Sequence, residues 1–197
     1  MKHRFLIASL ALCATPALAQ TPAATEEVPV AIQTSAGRIV IALDKTRAPV
    51  TTANFLHYVD THRFDGETFY RAMRMGDGGL IQAGIRSDAR KLYPPIAHEP
   101  TSKTGIHNVA GAVSMARLAP GTATADFFIL LSDTPGFDAG APGGDPDGFA
   151  AFGHVVEGMD VVKKIFASPA DPNKGEGVMK GQFLDPPVKI IKAERVK

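Results

Sequence analysis

From Val30 onward, apolar and polar residues alternate in short runs: "VAIQT", then "RIVIALD" after the turn residues "SAG". Alternation with period two is the mark of a strand with one buried face, and a small-residue turn between two such runs predicts a hairpin. The spacing then changes. In "APVTTANFLHYVDTH" Phe55, Tyr58 and Val59 fall at i, i+3 and i+4, which predicts a helix capped by Thr51 or Thr52. "ETFYRAM", "GLIQAGI", "GAVSMA", "DFFILLS" and "FAAFGHVV" read as further short strands separated by Gly, Pro and Asp, and "GMDVVKKIFA" as a second helix with Lys163 and Lys164 near its negative end. "PVKIIKAERV" closes the chain as another strand. Many short strands, two helices and little strand–helix–strand rhythm predict a mainly β fold, a closed barrel capped by helices.

The first residues belong to another pattern. Lys2, His3 and Arg4 precede the apolar run "FLIASLALCA", and "ALA" at 17–19 is a small-x-small site before Gln20. Residues 1–19 thus read as a secretory signal peptide, too short to span a bilayer, and 20–29 as a Pro-, Ala- and Glu-rich linker into a domain at 30–197. The expected location is the periplasm. The sole cysteine, Cys13, lies within the signal, so the exported domain must be held by its core without disulfides. Removing residues 1–19 takes two of the 21 Lys and Arg and none of the 20 Asp and Glu, leaving a net charge of −1. No basic excess points to nucleic acid, and no later apolar run suggests a membrane anchor. A monomer is expected.

Several motifs carry less than their letters suggest. "GGDPDG" at 143–148 hints at a calcium loop, but the twelfth position from Asp145 is Val156 where a bidentate Glu is needed. His98, His107 and His154 are scattered, and no pair has the spacing of a zinc site. "GDGG" at 76–79 lacks the Lys of a phosphate cradle, and no G-x-S-x-G elbow is present. No cofactor or metal is implied. What remains is a cation, Arg71, with Gln82 standing in the otherwise apolar "GLIQAG", and Met115, Ala116, Phe127 and Phe128 on further strands. By pattern alone Arg71 is either an exposed strand residue or the cation of a site.

Taken in order, "APVTTANFLHYV", "TFYRAM", "LIQAG", "GAVSMAR", "ADFFI" and "FAAFGHVVEGMDVVKKI" resemble the cyclophilins, peptidyl-prolyl cis/trans isomerases, over nearly all of the domain. The resemblance implies an eight-stranded antiparallel β-barrel with a helix capping each end. It implies that Phe128 and Met115 floor a pocket for the substrate proline while Phe127 faces the core. Arg71 would stabilise the twisted peptide bond, with Gln82 holding its guanidinium. Leu80, Ala116, Arg117, Asp126, Phe137 and Phe149 would contact the peptide. The implied partners are proline-containing polypeptides, and the implied role is X-Pro rotation during folding of exported proteins. The alternative is a proline-peptide-binding chaperone module with weak or no turnover.

Four departures from the family pattern bear on that choice. Gly79 replaces an aromatic, a gap that Met75 or Leu80 would have to fill, and Gly136 stands where a large indole is common. Asp126 replaces Gln; its carboxylate is expected either to pair with Arg71 or to accept a hydrogen bond from the substrate backbone. The 139–148 loop is enlarged. A ligand in the barrel lumen is disfavoured, because the strands carry enough Ile, Val, Leu and Phe to fill a small barrel.

Overall fold

A computed structural model of the protein describes residues 25–196. The signal-peptide reading and residues 20–24 of the linker fall outside them. Nine strands form one sheet: β1 (Glu27–Thr34), β2 (Gly37–Asp44), β3 (Thr68–Met75), β4 (Gly78–Gly84), β5 (Ala112–Met115), β6 (Phe127–Leu130), β7 (Ala151–Glu157), β8 (Ala170–Asp171) and β9 (Phe183–Arg195). Eight of them run β1-β2-β7-β5-β6-β4-β3-β9, and β9 pairs back onto β1, closing an antiparallel barrel. The two-residue β8 hangs on β9 outside the ring. The expected barrel is present. Its first strand starts at Glu27, inside the stretch read as linker, because Glu27 to Pro29 find ladder partners from Asp44 to Ala42.

Inward alternation builds the core. Val30 and Ile32 oppose Ile41 and Ile39 across the first hairpin, and all four are buried. Helix α1 (Pro49–Asp60) sends Phe55 inward, where its ring centroid lies 5.0 Å from Phe127, 5.0 Å from Phe64 and 5.4 Å from Phe152. Edge-to-face and tilted aromatic contacts of this kind fill the interior as a packed core. Helix α3 (Met159–Phe166) buries Val162 and Ile165 and packs on β2, β3 and β4; Asp160 in its first turn and Lys163 and Lys164 in its last suit the dipole. A single helical turn, α2 (Thr101–Thr104), is an addition to the two helices expected.

The α1 cap differs from expectation. Thr51 and Thr52 lie inside the first turn, with Ala48 at the N-cap and Pro49 following it. The free amides of Val50 and Thr51 donate instead to the carboxylate of Glu99, at 3.2 and 2.8 Å, and the Thr51 hydroxyl adds a third bond at 2.7 Å. Glu99 is 3% exposed. A buried anion at a helix N-terminus satisfies both the orphan donors and the dipole.

Strand β9 begins at Phe183, ahead of the expected Pro187. Pro186 and Pro187 have no N–H to give a ladder, so the β3–β9 pairing jumps from Phe69↔Val188 to Arg71↔Phe183. On the β4 side the same step pairs Phe69 with Ala83 and Arg71 with Gln82. Tyr70 is therefore a bulged residue. The bulge breaks the period-two alternation and brings Tyr70 and Arg71 to the same outer side of the wall, while Phe69 stays in the core.

Candidate active site

Outside the barrel wall, against β3, β4 and β6, a second apolar cluster gathers Leu80, Ala112, Phe128 and Leu130, with Met73, Ala116, Phe137 and Phe149 packed on it. It borders a pocket of about 290 Å³ lined by Arg71, Met73, Leu80, Gln82, Ala116, Arg117, Phe128, Phe137, Phe149 and Met179. The strand register explains the gathering: Gln82 opposes Phe128, which in turn opposes Ser114, so these three face outward together. Three phenylalanines form one apolar wall. Phe128 meets Phe149 edge-on at 5.4 Å and Phe137 at 5.8 Å, and Phe137 and Phe149 are 4.9 Å apart.

The same register moves Met115 out of the site. Met115 pairs with Phe127, so both point into the barrel core, where Met115 is 1% exposed. It is a core residue and does not floor the pocket. Phe127 faces the core as expected. Leu80 and Met73, the latter two residues beyond Arg71, line the pocket, whereas Gly79 and Met75 do not. Gly79 itself has φ +147, and a side chain on it would overlap the Met73 carbonyl and meet Phe166 of α3. No aromatic fits there on this backbone. Nothing lies within 4 Å of a Cβ placed on Gly136, and the neighbouring Phe137 supplies the ring on that side.

Arg71 is 9% exposed, and each of its three nitrogens has a partner. Nη1 donates to Gln82 Oε1 at 2.7 Å, Nε to Gln182 Oε1 at 2.8 Å, and Nη2 to Met73 Sδ at 3.2 Å. No carboxylate is paired with it among the described residues. Burial pulls the guanidinium below its ordinary pKa. A guanidinium has five N–H donors, so two remain for a ligand.

Asp126 does not pair with Arg71. Its Oδ2 accepts from the Tyr70 hydroxyl at 2.5 Å and, at 3.4 Å, from Gln82 Nε2, which also donates to the Tyr70 oxygen at 2.5 Å. The Gln82 amide is thereby oriented, its carbonyl toward Arg71 and its NH2 toward Tyr70 and Asp126. Burial raises the pKa of the Asp126 carboxyl against these hydrogen bonds. Burial and the adjoining carboxylate push the Tyr70 hydroxyl well above the usual phenol range, so it remains a donor. Gly84 backs this network: a side chain on it would overlap the Asp126 carboxylate.

The enlarged loop is fastened to the pocket. The Arg117 side chain, 2% exposed, pairs with Asp145 at 3.0 Å, donates to the Gly148 carbonyl and lies over the Phe149 ring. Behind the phenylalanines, buried Asn108 donates to the carbonyls of Phe137 and Phe149 at 3.0 and 3.2 Å and accepts from Ser114 Oγ at 2.7 Å. Tyr70, Asn108, Met179 and Gln182 were not legible as site residues. Met73 was within reach, since it follows Arg71 at the strand period.

Residues 29–195 match the family model described as cyclophilin type peptidyl-prolyl cis-trans isomerase/CLD. The chain is similar to peptidyl-prolyl cis-trans isomerase A of Dickeya dadantii, with 36% identity over 169 residues, covering 84% of this chain and 85% of that protein. It is also 36% identical over 139 residues to peptidyl-prolyl cis-trans isomerase B of Escherichia coli, covering 69% and 82%. Among solved structures, a cyclophilin type peptidyl-prolyl cis-trans isomerase of Cryptosporidium parvum superposes with a TM-score of 0.70 at 18% identity, covering 87% of this chain and 99% of that one.

Proposed function

This chain belongs to the cyclophilin family of peptidyl-prolyl cis-trans isomerases, and we propose that the Arg71 pocket is where it catalyses X-Pro rotation, acting on exported polypeptides. The observation that carries the reading is a buried, carboxylate-free guanidinium at the mouth of a phenylalanine-walled pocket.

An X-Pro bond is held planar by resonance, with a barrier of about 18–20 kcal/mol. Twisting it removes the conjugation and returns a lone pair to the proline nitrogen. A donor aimed at that nitrogen favours the twisted form over both planar ones, which is the condition for lowering the barrier. In this reading Phe128, Phe137, Phe149 and Leu80 hold the proline ring, Ala116 flanks it, and the two free N–H groups of Arg71 meet the nitrogen. Arg117 supports the wall through its loop contacts, and Asp126 acts through Gln82 without touching substrate. Met73 and Leu80 supply an apolar wall beside Arg71, which counts against a binding-only module.

Export rests on the cationic start, apolar run and "ALA" site of residues 1–19. Two measurements test the proposal. In cells, the mature chain is expected in the periplasmic fraction with Gln20 as its N-terminus. In vitro, the purified chain is expected to accelerate the slow, proline-limited refolding phase of an exported protein. An unprocessed cytoplasmic chain overturns the export reading, and an unchanged slow phase overturns the client class.

A further inference from the structure

The segment between β8 and β9 contributes to the site from a part of the chain far from the strands that carry it. Its contact with the Arg71 guanidinium runs through one side chain. Gln182 accepts from Arg71 Nε at 2.8 Å, and its own Nε2 donates to the Val178 carbonyl at 2.6 Å. That second bond fixes which end of the amide is which: with the NH2 taken by Val178, the oxygen faces Arg71. The backbone on either side is tied as well, since Ala72 N donates to the Gln182 carbonyl at 2.9 Å and Gln182 N to the Met179 carbonyl at 3.2 Å. The segment is closed on itself by Gly181 N to the Lys174 carbonyl at 2.8 Å. Gly175, at φ +88, allows Met179 and Phe183 to approach so closely that a Cβ there would lie 2.6 and 2.9 Å from them. The segment also places Met179 at the pocket lip.

We propose that Gln182 is a positioning residue for Arg71, setting the plane of the guanidinium jointly with Gln82. A planar group held by one acceptor at Nη1 is free to swing about that bond. A second acceptor at Nε removes the swing and directs the unpaired Nη1 and Nη2 hydrogens into the pocket. Met73 Sδ, the third contact, is too weak an acceptor to do this alone. Both fixed acceptors are neutral amides, so orientation is achieved without a counter-charge that would weaken the pull on the proline nitrogen.

The inference rests on Arg71 being the transition-state donor, and its test separates the two ideas. Gln182→Met keeps length and bulk on a half-buried segment but removes the acceptor. It is expected to lower kcat for a proline peptide by roughly ten- to a hundredfold, the cost of misplacing a catalytic group by about an ångström, with KM within about twofold. In an Arg71→Lys background, which has no Nε–H at that position, the same substitution should change kcat by less than about twofold. Nuclear magnetic resonance gives a readout independent of activity: the Arg71 Nε–H should exchange slowly with solvent in the parent protein and rapidly in Gln182→Met. Unchanged kcat in a folded Gln182→Met variant, an equal loss in both backgrounds, or unaltered Nε–H exchange would each overturn the role of Gln182. Failure of the Arg71 reading shows separately, as full activity in Arg71→Ala.

Discussion

Asp126 occupies a position where a carboxylate and an amide have different consequences. Its pKa is raised by burial, with the Tyr70 and Gln82 hydrogen bonds and the Arg86 charge acting in the other direction. The fold thus favours its protonated form. Its contribution to stability is fullest below the unfolded carboxyl pKa of about 3.9 and is lost as pH rises through the higher native value. Asp126→Asn, which keeps an acceptor for Tyr70 without the charge, should therefore be more stable than the parent at pH 7, with the gain shrinking toward pH 4. For a domain of this size each kcal/mol reads as about 2–4 °C in Tm. A lower Tm for Asp126→Asn at pH 7 would contradict the direction of the shift. The expectation that Asp126 pairs with Arg71 fails for a geometric reason invisible in the letters. The bulge turns Tyr70 to the outer side of the wall, where its hydroxyl donates to the carboxylate that would otherwise be available to Arg71. Met115 misleads for a related reason: alternation places it on one face of its strand, but only its pairing with Phe127 shows that this face is the inner one.

At the scale of elements, the alternation of Ile, Val, Leu and Phe and the helical spacing of Phe55, Tyr58 and Val59 made the barrel strands and both capping helices legible. What stayed hidden depends on partners remote in sequence. The cap of α1 is Glu99, 48 residues beyond Thr51, and nothing in "PVTTANF" announces it. Removing it leaves the Val50 amide and the buried Thr51 amide without this acceptor. Glu99→Ala is expected to cost about 1–3 kcal/mol in urea unfolding, and Glu99→Gln less, because an amide oxygen still accepts. Isomerase activity well below Tm should stay within about twofold of the parent, since α1 lies outside the Arg71 pocket. Equal stabilities for Glu99→Ala and the parent would show that water replaces the carboxylate. The start of β9 was hidden in the same way, because "FLDPPV" reads as a proline-rich connection until the β3 bulge is seen to accommodate it.

The molecule as a whole separates stability from chemistry across one barrel wall. Inside, Phe55, Phe64, Phe69, Phe127 and Phe152 fill the lumen to near-zero exposure, and the β1–β9 pairing leaves the ring without an open edge. Outside, the same strands present Arg71, Gln82, Leu80 and Phe128 to the pocket. Adjacent Phe127 and Phe128 show the division within one dipeptide. Side chains on the outer wall, although buried, stand apart from the packing of the lumen, so one of them can be changed without dismantling that core, which makes the central claim directly testable. The decisive measurement is kcat/KM of Arg71→Ala for a proline peptide in an isomerisation assay coupled to a conformation-sensitive readout, with the fold checked by circular dichroism. Losing one preorganised transition-state donor commonly costs about 2.7–4 kcal/mol, so a drop of roughly a hundred- to a thousandfold in a folded variant is predicted. Near-parent turnover in folded Arg71→Ala would contradict the account.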